Sequence, residues 1–216
     1  MIKLLYCLLF VSVSVSAQDY SPKNYVFFLH NKFLEDHDIN DIHPKYGSAA
    51  YEAILQKLQN ENTILISEKR LPNTDLKNYT KKVLFKIDSL HNTGVPYDHI
   101  AVVGTSKGGY IAQYVSNYAK NSKLKFVFIG ASFKNDSMNQ DREFQLYGNI
   151  LSIIERTDTG AVALSKQQRY KNSNLKSFKE INVDTGLEHG FLFKALDEWI
   201  EPIIHWLGLN EFHKKT

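Results

Sequence analysis

Residues 98–112 read DHIAVVGTSKGGYIA, and the fold turns on how this stretch is understood. Ile100 to Val103 is a short β-branched and small apolar run. It ends in Gly104-Thr105-Ser106-Lys107-Gly108-Gly109, after which Ile111, Tyr114, Val115 and Tyr118 recur at helical spacing over Gly109–Ala119. The pattern is a strand, a sharp turn and a helix. Gly104 and Gly108 remove side chains that would collide across such a turn, and Gly109 allows the helix close to the sheet. Ser106 has two readings: a polar residue in a glycine-rich turn, or a nucleophile lifted above the sheet by a strained backbone. G-x-S-x-G alone does not choose between them, so the remainder of the chain must.

The flanking sequence repeats this alternation. Apolar runs at Asn24–Leu29 (NYVFFL), Thr63–Ser67, Lys125–Ile129, Gly148–Ile154 and, more weakly, Ser177–Val183 read as further strands. Helical periodicity appears over Ser48–Leu58, Asp75–His91 and Phe191–Leu207, the second stopped by Asn92-Thr93-Gly94 with Pro96 beyond. Continuous apolar strands separated by amphipathic helices predict an α/β fold: a mostly parallel central sheet with helices on both faces. Ligands of such folds bind at the carboxyl ends of the strands, so chemistry is expected just after each strand.

A serine hydroxyl needs a base, and the base needs an orienting acid. Asp158 follows the strand GNILSII in ERTDTG, and His189 follows the last strand in TGLEHGFLF. The order Ser106, Asp158, His189, each after its own strand, is that of one triad topology. Glu155 rivals Asp158 as the acid. It would still lie at the strand end, whereas Asp158 lies in the loop, from which an acid can reach a histidine.

On the GTSKGG turn, the acid after the next-to-last strand and the His-Gly before the closing helix, the chain resembles the α/β-hydrolase superfamily over roughly Tyr25–Trp206. The resemblance implies that fold in a compact form. The early antiparallel strands are expected to be missing, because the first strand follows closely on the N-terminal segment. The short connection from Ile129 to Gly148 leaves no room for a lid domain. It also implies an oxyanion loop at FFLHNKFLED, with His30-Asn31 where the family usually has His-Gly. Asparagine is the next most tolerant residue for left-handed backbone. The implied donors are the backbone N–H groups of Lys32, or alternatively Asn31, and of Lys107.

Asn31, Glu35, His43, Tyr46, Arg70, Tyr110 and Phe133 are candidates to line a substrate pocket, with Met138 beside them. Lys32, Arg70, Lys107 and Lys134 near the mouth would favour an anionic substrate, although Glu68-Lys69-Arg70 reads more simply as surface ion pairing. The run Glu35–His43 holds four acids and two histidines but has no metal-ligand spacing. It reads as a solvated loop; no metal and no cofactor are expected. The function expected is ester hydrolysis through an acyl-enzyme on a small-molecule or polymer-attached ester. Amide or peptide cleavage and carbohydrate deacylation use the same triad, and a non-catalytic binding protein on a hydrolase scaffold is the reading from another class.

Composition bounds the rest. The 216 residues are 43% hydrophobic, enough for one domain with a sizeable core. A net charge of +3 from 26 basic and 23 acidic residues, well interspersed, argues against a nucleic-acid partner. Lys3, the apolar stretch Leu4–Val15 and Val15-Ser16-Ala17 read as a secretory signal peptide cleaved after Ala17, leaving residues 18–216 as the domain without stable membrane insertion. The single cysteine, Cys7, falls inside that leader, so the mature chain has no disulfide and no thiolate chemistry. Export without disulfides fits a bacterial periplasm or exterior. The sequence says nothing of the oligomeric state.

Overall fold

The computed structural model describes residues 23–209; the expected leader and Cys7 lie outside them. In chain order the elements are β1 (Asn24–Leu29), α1 (Lys32–Asp36), the two-residue strands β2 (Ile42–His43) and β3 (Gly47–Ser48), and α2 (Tyr51–Leu58). Then come β4 (Thr63–Ser67), α3 (Leu76–Asn92), β5 (Ile100–Thr105), α4 (Lys107–Ala119) and β6 (Lys125–Ile129). The chain continues with β7 (Tyr147–Glu155), α5 (Gln168–Lys171), β8 (Asn174–Val183) and α6 (Asp197–Leu207).

Six strands form one sheet in the order β4-β1-β5-β6-β7-β8, and every neighbouring pair is parallel. Among the described residues this sheet has no antiparallel strand. A parallel sheet must be covered on both faces, which is why the inner strands β1, β5 and β6 carry continuous apolar runs, whereas the edge strand β8, NLKSFKEINV, is mixed. Alternate residues of β1 and β5 serve opposite layers. Val26, Phe28, Ala101 and Val103 pack with Ile54 of α2 and Trp199, Ile200 and Ile203 of α6. Phe27, Leu29, Ile100 and Val102 pack with Val83 and Ile87 of α3 and Ile111 and Val115 of α4.

From β1 the chain runs outward to β4 at the edge, returns past β1 to β5, and then proceeds the other way to β8. The reversal point is therefore between β1 and β5, where the loops that follow the two strands diverge and leave a crevice. The first contains His30-Asn31 and the second contains Ser106.

Two expectations are corrected. The closing helix does not run from Phe191. Glu188–Phe193 is a 3₁₀ turn, and α6 starts at Asp197. The carbonyls that would continue a helix are taken elsewhere: Phe193 O accepts the Ala50 N–H at 2.9 Å, and Lys194 O accepts Trp199 Nε1–H at 3.1 Å. The run from Glu35 to His43 is not simply a solvated loop, because its first residues close α1 and Glu35 is buried.

Candidate active site

The turn between β5 and α4 is as sharp as its glycines require. A Cβ on Gly104 would lie 2.4 Å from the Gly108 carbonyl carbon, and one on Gly108 would lie 1.9 Å from Leu29 O. Both spaces are filled by backbone, which cannot yield. Ser106 between them has φ 48° and ψ −117°, outside the ordinary regions for an L-residue and at a cost of order 1–3 kcal/mol. The surroundings over-determine it: Ser106 N–H donates to Ile129 O at 2.8 Å, and Ser106 O accepts from Tyr110 N–H at 2.9 Å.

Ser106 Oγ lies 2.9 Å from His189 Nε2, and His189 Nδ1 lies 2.5 Å from Asp158 Oδ2. Three loops that follow β5, β7 and β8 thus meet in one hydrogen-bonded chain. The other Asp158 oxygen, Oδ1, accepts the Gly160 N–H at 3.0 Å. Burial alone would raise the Asp158 carboxyl pKa, but the hydrogen bond and charge of His189 and the Gly160 and Ala161 amides bring it below its ordinary value. The carboxylate is therefore ionised at neutral pH. Phe133 lies beside the base, its ring centroid 6.5 Å from that of His189.

Glu155, the rival acid, does not touch His189. It is 1% exposed. Its Oε2 accepts the N–H and hydroxyl of Thr157 at 2.5 and 2.6 Å. Its Oε1 accepts the N–H and hydroxyl of Thr185 at 3.0 and 3.2 Å and the Gly186 N–H at 3.1 Å. Burial pushes its pKa up, and these donors more than reverse the effect.

On the β1 side, Asn31 does not use left-handed backbone. Its φ and ψ are −70° and 177°, and its Oδ1 caps α1 by accepting the Leu34 N–H at 3.1 Å. Lys32 and Lys107 each open a helix, where the first N–H groups have no intrahelical acceptor. The two starts are neighbours, since the same Gly108 Cβ would stand 2.6 Å from His30 O. His30 is buried. Its Nε2 accepts the Arg70 N–H at 2.8 Å, so its Nδ1–H donates to Asn31 O at 2.8 Å. Burial, and then the Arg70 charge, lower its pKa to about 4, leaving a neutral ring.

Glu35 and Arg70 are not pocket-lining residues, because both side chains are 0% exposed. Arg70 Nε donates to Glu35 Oε2 at 3.0 Å, and Arg70 Nη2 donates to His30 O at 2.5 Å. Lys107 Nζ donates to Glu35 Oε1 at 2.5 Å. Burial would raise the Glu35 pKa, yet hydrogen bonds from Lys107 and Arg70 bring it below the usual range. Arg70 and Lys107, two of the four cations expected to select an anionic substrate, are thus compensated within the protein. Lys32 likewise pairs with Asp36 at 2.5 Å.

Tyr46 packs against the backbone of Gly190, where a Cβ would come within 2.5 Å of its ring. Its ring stacks on His43 with centroids 4.6 Å apart, and both contact Phe193. Tyr46, Gly186, Leu187, Gly190 and Lys194 border a cavity of about 230 Å³ next to His189. Tyr110 faces away toward the loop after β6, with its hydroxyl 3.1 Å from Ser137 Oγ. Met138 belongs to the core. Among the described residues no three His, Asp or Glu side chains gather as a metal site would require.

Sequence reasoning placed His30 only within the oxyanion-loop motif, without its buried bond to the Arg70 N–H, and passed over the threonines around Glu155. The available signal was a charged residue closing an otherwise apolar strand, which burial statistics mark as needing partners.

Among solved structures, the fold is similar to that of Arabidopsis thaliana SOBER1, at 12% identity over 87% of this chain and 98% of that one, with a TM-score of 0.54. It is similar to a Pyrobaculum calidifontis esterase at 14% identity, 88% and 76% coverage and a TM-score of 0.57. It is also similar to a putative dienelactone hydrolase from Klebsiella pneumoniae subsp. pneumoniae at 12% identity, 90% coverage of each chain and a TM-score of 0.54. No family model matches the chain, and no curated protein does. At these identities the likeness is one of fold.

Proposed function

We propose that this chain, which has the α/β-hydrolase fold, is a serine hydrolase acting on carboxylic esters. The observation that carries the reading is the chain from Ser106 Oγ to His189 Nε2 at 2.9 Å and from His189 Nδ1 to Asp158 Oδ2 at 2.5 Å, built on a serine whose φ is 48°. Asp158 fixes the tautomer with hydrogen on Nδ1, so the lone pair on Nε2 faces the serine hydroxyl. Ser106 Oγ attacks the ester carbonyl carbon as its proton passes to Nε2. The carbonyl oxygen becomes an oxyanion, for which the Lys32 and Lys107 backbone N–H groups are the donors; a single such donor contributes about 3–4 kcal/mol in comparable sites. The alcohol departs with the proton from Nε2. Water, deprotonated by the same nitrogen, then hydrolyses the acyl-serine and releases the acid.

The choice of ester leans on the fold neighbours, whose names include an esterase and a dienelactone hydrolase. No cofactor enters the chemistry. Phe133, near the His189 ring, and Tyr46, packed on the adjoining Gly190, are the residues we assign to substrate contact. The segment ending at Ala17 supports a periplasmic or extracellular setting. The test is a panel of acetyl, butyryl and longer nitrophenyl esters beside aminoacyl nitroanilides. Esters should be cleaved, and Ser106→Ala should lower kcat by on the order of 10⁴- to 10⁶-fold. Cleavage of the anilides with equal inactivity on every ester would overturn the choice of bond.

A further inference from the structure

Glu155 lies one loop away from the reacting atoms, yet its two oxygens address the two loops that carry the acid and the base. Oε2 takes both donors of Thr157, the residue before Asp158. Oε1 takes both donors of Thr185 and the Gly186 N–H, four and three residues before His189. The Thr157 hydroxyl, having donated to Glu155, accepts the N–H of Glu188 at 3.1 Å. Glu188 immediately precedes His189 and has a φ of 51°, a left-handed conformation uncommon for glutamate. One carboxylate thus reaches the residue before Asp158 directly and the residue before His189 through one hydroxyl.

We infer that Glu155 is a positioning residue for the proposed reaction: it sets the separation between Asp158 and His189, and hence the orientation of the imidazole toward Ser106. A carboxylate suits this task because it accepts on every side and donates on none. No single amide could satisfy the five donors, since its NH₂ would face N–H and O–H groups on one loop or the other. No arginine or lysine is paired with it among the described residues, so neutral donors alone compensate the buried charge, in the way that multiple backbone N–H groups hold a carboxylate ionised. The inference rests on the serine-hydrolase reading for its catalytic consequence, but its geometric claim can be measured without substrate.

The experiment compares wild type with Glu155→Gln, which keeps shape and removes charge. In wild type, the proton between His189 Nδ1 and Asp158 should give a far-downfield resonance by proton NMR. In Glu155→Gln it should shift upfield or broaden away. Against an ester cleaved by wild type, kcat should fall on the order of 100-fold, as expected for misplacement by about an ångström, with KM within threefold. A brace that matters only for folding would lower Tm while leaving the downfield proton and kcat of the folded variant unchanged; that result overturns the inference. If Glu155→Gln does not fold, Thr157→Val and Thr185→Val each remove one hydroxyl donor from one oxygen. Both should lower kcat and perturb the resonance, and normal values in both would equally overturn it. Should no ester be cleaved by wild type while the resonance still depends on Glu155, the positioning claim stands and the ester reading fails.

Discussion

Glu35 and Glu155 are both buried carboxylates at the carboxyl edge of the sheet, one beneath each half of the site, and they are compensated by different chemistry. Glu35 is met by three cations: Arg70 Nε at 3.0 Å, Lys107 Nζ at 2.5 Å and Lys32 Nζ at 3.4 Å. Through them it joins the loop after β1 to the start of α4, the two segments that carry the proposed oxyanion donors. Glu155 has no cation and instead accepts from two threonines and a glycine. Both sides join loops that leave adjacent parallel strands, β1 and β5 on one side and β7 and β8 on the other. The difference lies in the donors: long charged side chains reach Glu35, whereas short hydroxyls and backbone amides reach Glu155.

The comparison predicts unequal fragility. An ion pair concentrates its compensation in one or two groups, and removing one leaves a buried charge. Arg70→Met should therefore cost roughly 3–5 kcal/mol in denaturant unfolding, since it leaves Oε2 of buried Glu35 without its guanidinium, with only the partly exposed Lys107 and Lys32 on Oε1, and leaves the His30 carbonyl without the Nη2 donor. A loss below about 1 kcal/mol, the range of exposed pairs, would contradict the ascribed role of Arg70 and erase the contrast with the Glu155 side.

A smaller effect distinguishes the two sides by pH. His30 belongs to the oxyanion side, and its pKa falls from 6.5 to about 4 on folding. Below 6.5 the unfolded chain takes up a proton that the folded chain refuses, so stability declines as pH drops through the window from 6.5 to 4. Between pH 7 and 5 the loss should be about 2 kcal/mol, read from urea midpoints, and His30→Asn should flatten the curve. The carboxyls of Glu35, Asp158 and Glu155 are all shifted downward. Their contributions are fully present above the ordinary carboxylate range and decline only as pH falls below it, so the upper part of the window reports on His30. A flat wild-type curve there would contradict its buried, neutral state.

The contrast also explains what was legible in the sequence. The strands β1, β4 and β6 were readable at their ends because a doubly covered parallel strand is an unbroken apolar run. The loop positions of Ser106 and Asp158 were readable because each follows such a strand, and that of His189 because it follows the weaker run Ser177–Val183. Glu35 was not, since EDHDINDIH looks like a solvated acidic run and the partner that buries its first residue, Arg70, is 35 positions away. The short helix α1 was also missed: five residues are too few to display a period, and its cap, Asn31, was read instead as a substitute for glycine. The break before α6 was invisible because it depends on tertiary acceptance by the Phe193 carbonyl from the distant Ala50 N–H and on the Trp199 side chain turning back to the Lys194 carbonyl. Glu155 stood in view as a rival acid, but its role depends on which donors converge, and that emerges only when β7 and β8 are side by side.

The central claim is that Ser106 is an activated nucleophile, and a fluorophosphonate probe measures this most directly. Incubation at neutral pH followed by intact-mass and peptide analysis should give one adduct per chain, on Ser106, absent in Ser106→Ala and greatly slowed in His189→Ala. An unlabelled wild type, or an adduct on another residue, would contradict it.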